Sequence, residues 1–180
     1  TPQGPDAMTD VVREMQRLYW RLESAPLVTL AEIDTLALGG GLELALACDL
    51  RVAAQEARLG LPEARLGLLP GAGGTQRLTR LCGPGLAKRL ILGAELIDGA
   101  TAERLGLVQW AVPRAALADF ARDIANRYAA MPKAALAANK RCIAAATDPE
   151  RDGYADEIAE TRTLYDHPDT RAKVSDFLAK

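Results

Sequence analysis

The chain has 180 residues, 49% hydrophobic and 26% charged, enough apolar content for a packed core and too much for a disordered tail. Its 22 Lys and Arg against 24 Asp and Glu leave a formal charge of −2, which removes any general electrostatic attraction to nucleic acid. Three scattered cysteines exclude a CxxC-type metal site, and neither serine, Ser24 or Ser175, lies in a G-x-S-x-G hydrolase elbow. No apolar run reaches the roughly 18–20 residues that span a bilayer, because Glu43 and Asp49 interrupt the best one. The expectation is a soluble, cytoplasmic protein with no nucleic-acid or membrane partner, no metal site, and a true N-terminus upstream of Thr1-Pro2-Gln3.

In chain order, Asp6 to Ser24 reads as an amphipathic helix, with Val11, Met15, Leu18 and Leu22 at helical spacing between arginines. Pro26 breaks it, and residues 27–33 read as a buried strand. Gly39-Gly40-Gly41 then opens a helix-favouring run, residues 42–48. Short strands are expected at 50–54 and 58–61, followed by a loop with Pro62-Glu63 and a second glycine cluster, residues 70–74. Helices are expected over 74–81, 85–92 and 100–105, the last capped by Asp98, and a strand over 108–112. Beyond Pro113 the pattern is alanine-rich and helical, with breaks near Pro132, Pro149 and Pro168. The composition shift at Pro113 divides the chain into an α/β part, 1–112, with a lead helix at 6–24, and a helical part, 113–180.

The glycine clusters fit neither G-x-G-x-x-G nor a phosphate-binding loop with lysine, since Leu44 and Gln76 occupy glycine positions and no lysine is near. A glycine turn feeding a helix still presents backbone N–H groups at a positive dipole end, suited to an oxygen that gains charge. The competing reading is a glycine run that merely lets helix and strand pack closely. Glu43 lies in the first turn of an otherwise apolar helix, where a carboxylate either serves the helix dipole or is buried for a function. Glu63 follows a proline in an apolar neighbourhood; two carboxylates sharing one site would titrate as a pair and supply a base and an acid.

The run Ala37-Leu38-Gly39-Gly40-Gly41-Leu42-Glu43-Leu44-Ala45-Leu46-Ala47-Cys48-Asp49-Leu50-Arg51 resembles the signature of the enoyl-CoA hydratase/isomerase (crotonase) family. Pro62-Glu63 and the stretch from Gly67 to Leu78 resemble its second block, and residues 102–108 and 176–180 fit later landmarks. The likeness extends over nearly all of the chain, and its first block is most similar to hydratases of the methylglutaconyl-CoA type. What the resemblance implies is an α/β fold, a crotonase-like spiral of ββα units followed by an α-helical C-terminal oligomerisation domain, assembling as a homotrimer or a hexamer of two trimers. It implies an acyl-CoA thioester substrate, hydration of a 2-trans-enoyl-CoA, and no cofactor beyond the coenzyme A that belongs to the substrate.

By the same resemblance Glu43 and Glu63 hold and activate water, the Gly40 N–H donates to the thioester oxygen, the Gly71 N–H helps fix the arrangement, and Lys180 approaches coenzyme A phosphates. Two departures accompany it. A block like F-x-A-G-A-D, which supplies the family's other oxyanion N–H, lies just before the position of Thr1, and Thr35 stands where the family has glycine. The alternatives are double-bond isomerisation of an enoyl-CoA, which relies on one carboxylate, and a truncated, non-catalytic acyl-CoA binding or assembly module. Elsewhere, His167 reads as a turn residue and Cys48 as a small core residue. Asp49, Arg51 and Arg77 read as a structural cluster or as solvated charges, and the basic run from Lys133 to Arg141 as a solvated helix face. Trp20, Trp110, Tyr128 and Phe177 read as packing anchors.

Overall fold

A computed structural model describes residues 4–179. They form two units, one containing the chain up to Ala25 and Thr29–Ala125, the other Pro26–Val28 and the residues from Asn126. The first unit opens with helix α1, Pro5–Glu23, which has proline in its first turn, Asp6 near its N-terminus and Arg21 in its last turn. Its inward stripe is Val12, Met15, Tyr19 and Leu22, whereas Val11 and Leu18, expected inside, face solvent. Counting aliphatic residues alone misplaced that face, because its centre is the buried Tyr19.

Strand β1, Leu30–Ile33, is shorter than the expected 27–33. Residues 26–28 belong instead to the second unit, where Lys140 Nζ donates to the Leu27 carbonyl at 3.0 Å. Strand β2, Leu36–Leu38, leads through Gly39 into helix α2, Gly40–Ala47, and strands β3, Leu50–Ala54, and β4, Arg58–Gly60, follow. A 3-10 turn over Pro62–Leu66 carries Glu63. Helix α3, Gly74–Leu92, bends at Gly83, whose φ of 79° and following Pro84 separate the two helical stretches anticipated there. Strand β5, Ile97–Asp98, precedes helix α4, Gly99–Arg104, which Asp98 caps by accepting from the Thr101 N–H. Strand β6, Trp110–Val112, then leads to helix α5, Leu117–Ala129.

These strands make two small sheets. One is all parallel, in the order β1-β3-β6, with Leu30 opposite Leu50 and Val52 opposite Trp110. The other is β2-β4-β5, with β2 and β4 parallel so that Leu38 stands opposite Gly60, and β5 antiparallel to β4. Leu42, Val52, Leu59, Leu61, Leu78, Leu90 and Leu107 are fully buried between them and the helices. The unit boundary falls inside α5, after Ala125, rather than at Pro113, because Leu117 and Ala121 bury in the first unit's core. In the second unit, helices α6, Lys133–Ala145, α7, Gly153–Asp166, and α8, Pro168–Leu178, pack in sequence. Arg141 on α6 donates to both carboxylate oxygens of Glu160 on α7, at 2.6 and 2.8 Å.

Arg51 is not a solvated charge. Only 3% exposed, it donates from Nη1 to the carbonyls of Ala45 and Cys48, at 3.2 and 2.8 Å, and from Nε to that of Leu107 at 2.9 Å. A cation thereby satisfies the carbonyl end of α2, the negative end of its dipole. Asp49 accepts from the N–H and hydroxyl of Thr29, at 2.7 and 2.9 Å, and Arg77 pairs with Glu23. Trp110 packs edge-on against Phe120, with ring centroids 6.1 Å apart, but Trp20 and Phe177, expected as packing anchors, are largely exposed. His167 caps α8, accepting at Nδ1 from the Asp169 N–H. Among the described residues no helix is long and apolar enough to cross a membrane.

Candidate active site

The two acidic residues singled out in the sequence sit just beyond the carboxyl ends of the neighbouring parallel strands β2 and β4. After β2 the chain turns at Gly39, whose φ of 54° favours glycine and whose N–H donates to the Gly60 carbonyl at 3.0 Å. The turn starts α2 directly, placing Glu43 in its first turn with 3% of its surface exposed. Paired with Leu38, Gly60 ends β4 and hands the chain to the turn that carries Glu63. Glu63 reaches back to the start of α2: a Cβ built on Gly39 would lie 3.0 Å from Glu63 Oε1. Glu63 thus reaches the N-terminal end of the helix whose first turn carries Glu43.

Their surroundings differ. Glu43 Oε1 accepts from the Gly74 N–H at 2.7 Å, in the second glycine turn. Burial pushes the Glu43 carboxyl above its ordinary value, and the charge of Glu63 adds to that rise. The amides of Gly74 and Ala72 and the Arg77 guanidinium act in the opposite direction. Glu63 Oε2 is buried and accepts no hydrogen bond from the protein, the only such side-chain atom among the described residues. Gly40 is the first residue of α2, so its N–H has no acceptor within the helix, and no side chain caps that end. An orphaned acceptor and uncapped donors beside a second carboxyl make a site for a small polar group flanked by a developing negative charge.

Gly71 begins the second glycine turn, where its carbonyl accepts from Gln16 Nε2 at 2.6 Å and a Cβ would lie 3.2 Å from Val12 Cγ1. The amides that meet Glu43 are those of Ala72 and Gly74, one and three residues further on. Lys180 lies outside the described residues. Sequence reasoning missed Gly74, Ala72 and Tyr19. No local pattern marks them, since Gly74 meets a residue 31 positions away and Tyr19 donates from its hydroxyl to the Gly40 carbonyl, 21 positions away, at 3.2 Å.

The enoyl-CoA hydratase/isomerase family profile matches residues 2–179. The chain belongs to that family. Among curated relatives of this enoyl-CoA hydratase/isomerase family member, the short-chain-enoyl-CoA hydratase of Clostridium acetobutylicum is 42% identical over 127 residues, which cover 71% of this chain and 49% of that protein. The mitochondrial methylglutaconyl-CoA hydratase of Homo sapiens is 56% identical over 87 residues, 48% of this chain and 26% of that protein. The chain thus spans at most about half the length of these relatives. A solved enoyl-CoA hydratase from Bacillus anthracis superposes with a TM-score of 0.92 at 34% identity, over 98% of this chain and 69% of that one. Pseudomonas aeruginosa DspI gives 0.93 at 37% identity, over 99% and 69%. The fold is the crotonase fold, mixed α/β with C-terminal helices, as the resemblance implied.

The electrostatics of Glu43 give a test that needs no substrate. Its folded-state pKa is raised, so the fold favours the protonated carboxyl. Compared with Glu43→Gln, the wild-type chain is expected to be most stable below the unfolded glutamate value of about 4.3. It then loses stability as pH rises, and the loss levels off above the folded-state pKa of Glu43. Urea midpoints of both proteins across acid to neutral pH check this; a gap that shifts in the wild type's favour as pH rises contradicts a carboxyl dominated by burial.

Proposed function

We propose that this protein, alone or as part of a longer chain that carries it, hydrates a 2-trans-enoyl-CoA to a 3-hydroxyacyl-CoA. The observation that carries the reading is the buried, unpartnered Glu63 Oε2, set at the end of α2 beside Glu43. Oε2 accepts a hydrogen bond from a water molecule that lies between the two carboxyl groups. The water oxygen bonds to the β-carbon, the double bond's electron pair moves towards the thioester, and negative charge gathers on its oxygen. The Gly40 N–H, at the positive end of α2, receives that charge; a fixed donor of this kind is worth about 3–4 kcal/mol in the transition state. One carboxyl group takes the proton that water loses and the other gives one to the α-carbon; a proton passed between them restores the pair. Burial moves Glu43 towards the range where a carboxyl both gives and takes protons.

The chemistry calls for no metal or redox cofactor, coenzyme A being part of the substrate. The Gly71 and Lys180 roles implied by the resemblance belong to the same proposal, as does assembly into a homotrimer or a hexamer. Exposed Ile143, Tyr154, Ile158, Tyr165 and Phe177 on the helices of the second unit support assembly. Three cysteines without close spacing in the sequence support a reducing compartment, read as the cytoplasm.

Incubation with crotonyl-CoA tests the reaction, followed by loss of the conjugated-thioester absorbance. Loss of absorbance with formation of 3-hydroxybutyryl-CoA is expected. Binding of the thioester without turnover would favour a binding module. Conversion of a 3-enoyl-CoA to its conjugated isomer, with no hydration, would favour the isomerase.

A further inference from the structure

Helix α1 touches both glycine turns with polar side chains drawn from one face. Tyr19 donates to the Gly40 carbonyl at 3.2 Å and Gln16 to the Gly71 carbonyl at 2.6 Å. Four residues beyond Tyr19, Glu23 Oε2 accepts from Nε and Nη2 of Arg77 on α3, at 3.0 and 2.9 Å. The third guanidinium nitrogen, Nη1, donates to the Ala72 carbonyl at 3.0 Å. Arg77 is 10% exposed while Glu23 is 42% exposed, so the arginine is held inward by a partner whose other side meets water. The Nη1 end of the guanidinium lies beside Gly73, whose φ is 107°, and a side chain there would collide with Nη1. Arg77 thus binds the middle of the turn whose Gly74 amide holds Glu43 Oε1.

We propose that Arg77, anchored by Glu23, is a positioning residue: it fixes the Gly71–Gly74 turn so that the Gly74 amide holds the Glu43 carboxyl in place for the proposed hydration. The proposal rests on that reading for its catalytic consequence, and on the Glu23–Arg77–Ala72 geometry for its structural one. Its fork geometry is the reason an arginine is needed, since two nitrogens face Glu23 while the third faces Ala72. The groups facing Glu43 are Glu63 from the 3-10 turn, Arg77 from α3, Tyr19 from α1 and the amides of Ala72 and Gly74. Removing Arg77 deletes the one cation of that set and raises the Glu43 midpoint further.

The test compares wild type, Arg77→Met and Arg77→Lys in two measurements. The first is kcat and KM for crotonyl-CoA. The second is the pH titration of the Gly74 amide resonance, whose acceptor is Glu43. In Arg77→Met, kcat is expected to fall at least about tenfold with little change in KM, and the Gly74 titration midpoint to rise. Arg77→Lys keeps the charge but not the fork, so kcat falls less and the Gly74 resonance shifts. Wild-type kcat and an unmoved Gly74 titration in folded Arg77→Met overturn the proposal; if that variant does not fold, an unmoved Gly74 resonance in Arg77→Lys does so. Should the wild type hydrate no enoyl-CoA, the hydratase reading fails by itself, and the Gly74 titration alone upholds or overturns the role of Arg77.

Discussion

Glu63→Gln is expected to lower crotonyl-CoA hydration by about 10²–10⁴ with the urea midpoint close to that of wild type. Glutamine has nearly the same shape and still fits against Gly39, where Glu63 Oε1 now lies. What it loses is the ability to take a proton from water at Oε2, the acceptor that the protein leaves without a donor. An amide nitrogen at that position would also present hydrogens where water must donate. Because Oε2 makes no hydrogen bond within the protein, no fold-stabilising interaction disappears with the charge. Near-normal turnover in Glu63→Gln would remove Glu63 from the chemistry, and a large fall in stability would show that its role is structural.

A second large effect is expected from a residue with no side chain. In Gly74→Ala the new methyl would lie 2.7 Å from Pro70 Cβ, 2.9 Å from Glu43 Oε1 and 3.1 Å from Glu43 Cγ. Pro70 is fully buried and its ring is tied to the backbone, so Glu43 or the turn itself must move. Overpacking of this kind costs about 1–3 kcal/mol in stability. Displacing the carboxyl by about 1 Å is expected to cost about 100-fold in turnover. Gly85→Ala is the control: open space surrounds that position on α3, and stability should change little or rise by about 0.4–1 kcal/mol. Equal turnover in the two variants would show that the Gly74 contact with Glu43 has no part in the reaction.

Much of this site is written locally. Gly39-Gly40-Gly41 before a helix-forming run forces a tight strand-to-helix turn, and a carboxylate in that first turn has few places to go but inward. Pro62-Glu63 is legible in the same way, because proline starts the short turn that carries the second carboxyl. The mutual placement of the two is not local. It comes from β2 lying parallel to β4, and β2 has only three residues, too few for alternation to show. The Arg77–Glu23 pair, 54 positions apart, was invisible for a similar reason: either charge alone reads as a solvated one. On α1, the polar residues Gln16 and Glu23 meet the Gly71 carbonyl and Arg77, while the aliphatic stripe turns partly to solvent. Helix period was readable there, but which face goes inward depended on carbonyls supplied by distant turns.

The central claim is that Glu43 and Glu63 act together on a single water molecule. It is tested most directly by comparing hydration rates of Glu43→Gln, Glu63→Gln and the double variant. If the carboxyl groups work as one unit, the double variant should be no slower than about the worse single variant, because either change already disables the pair. Losses that multiply in the double variant would mean that the two groups contribute independently, and the shared-water account would be wrong.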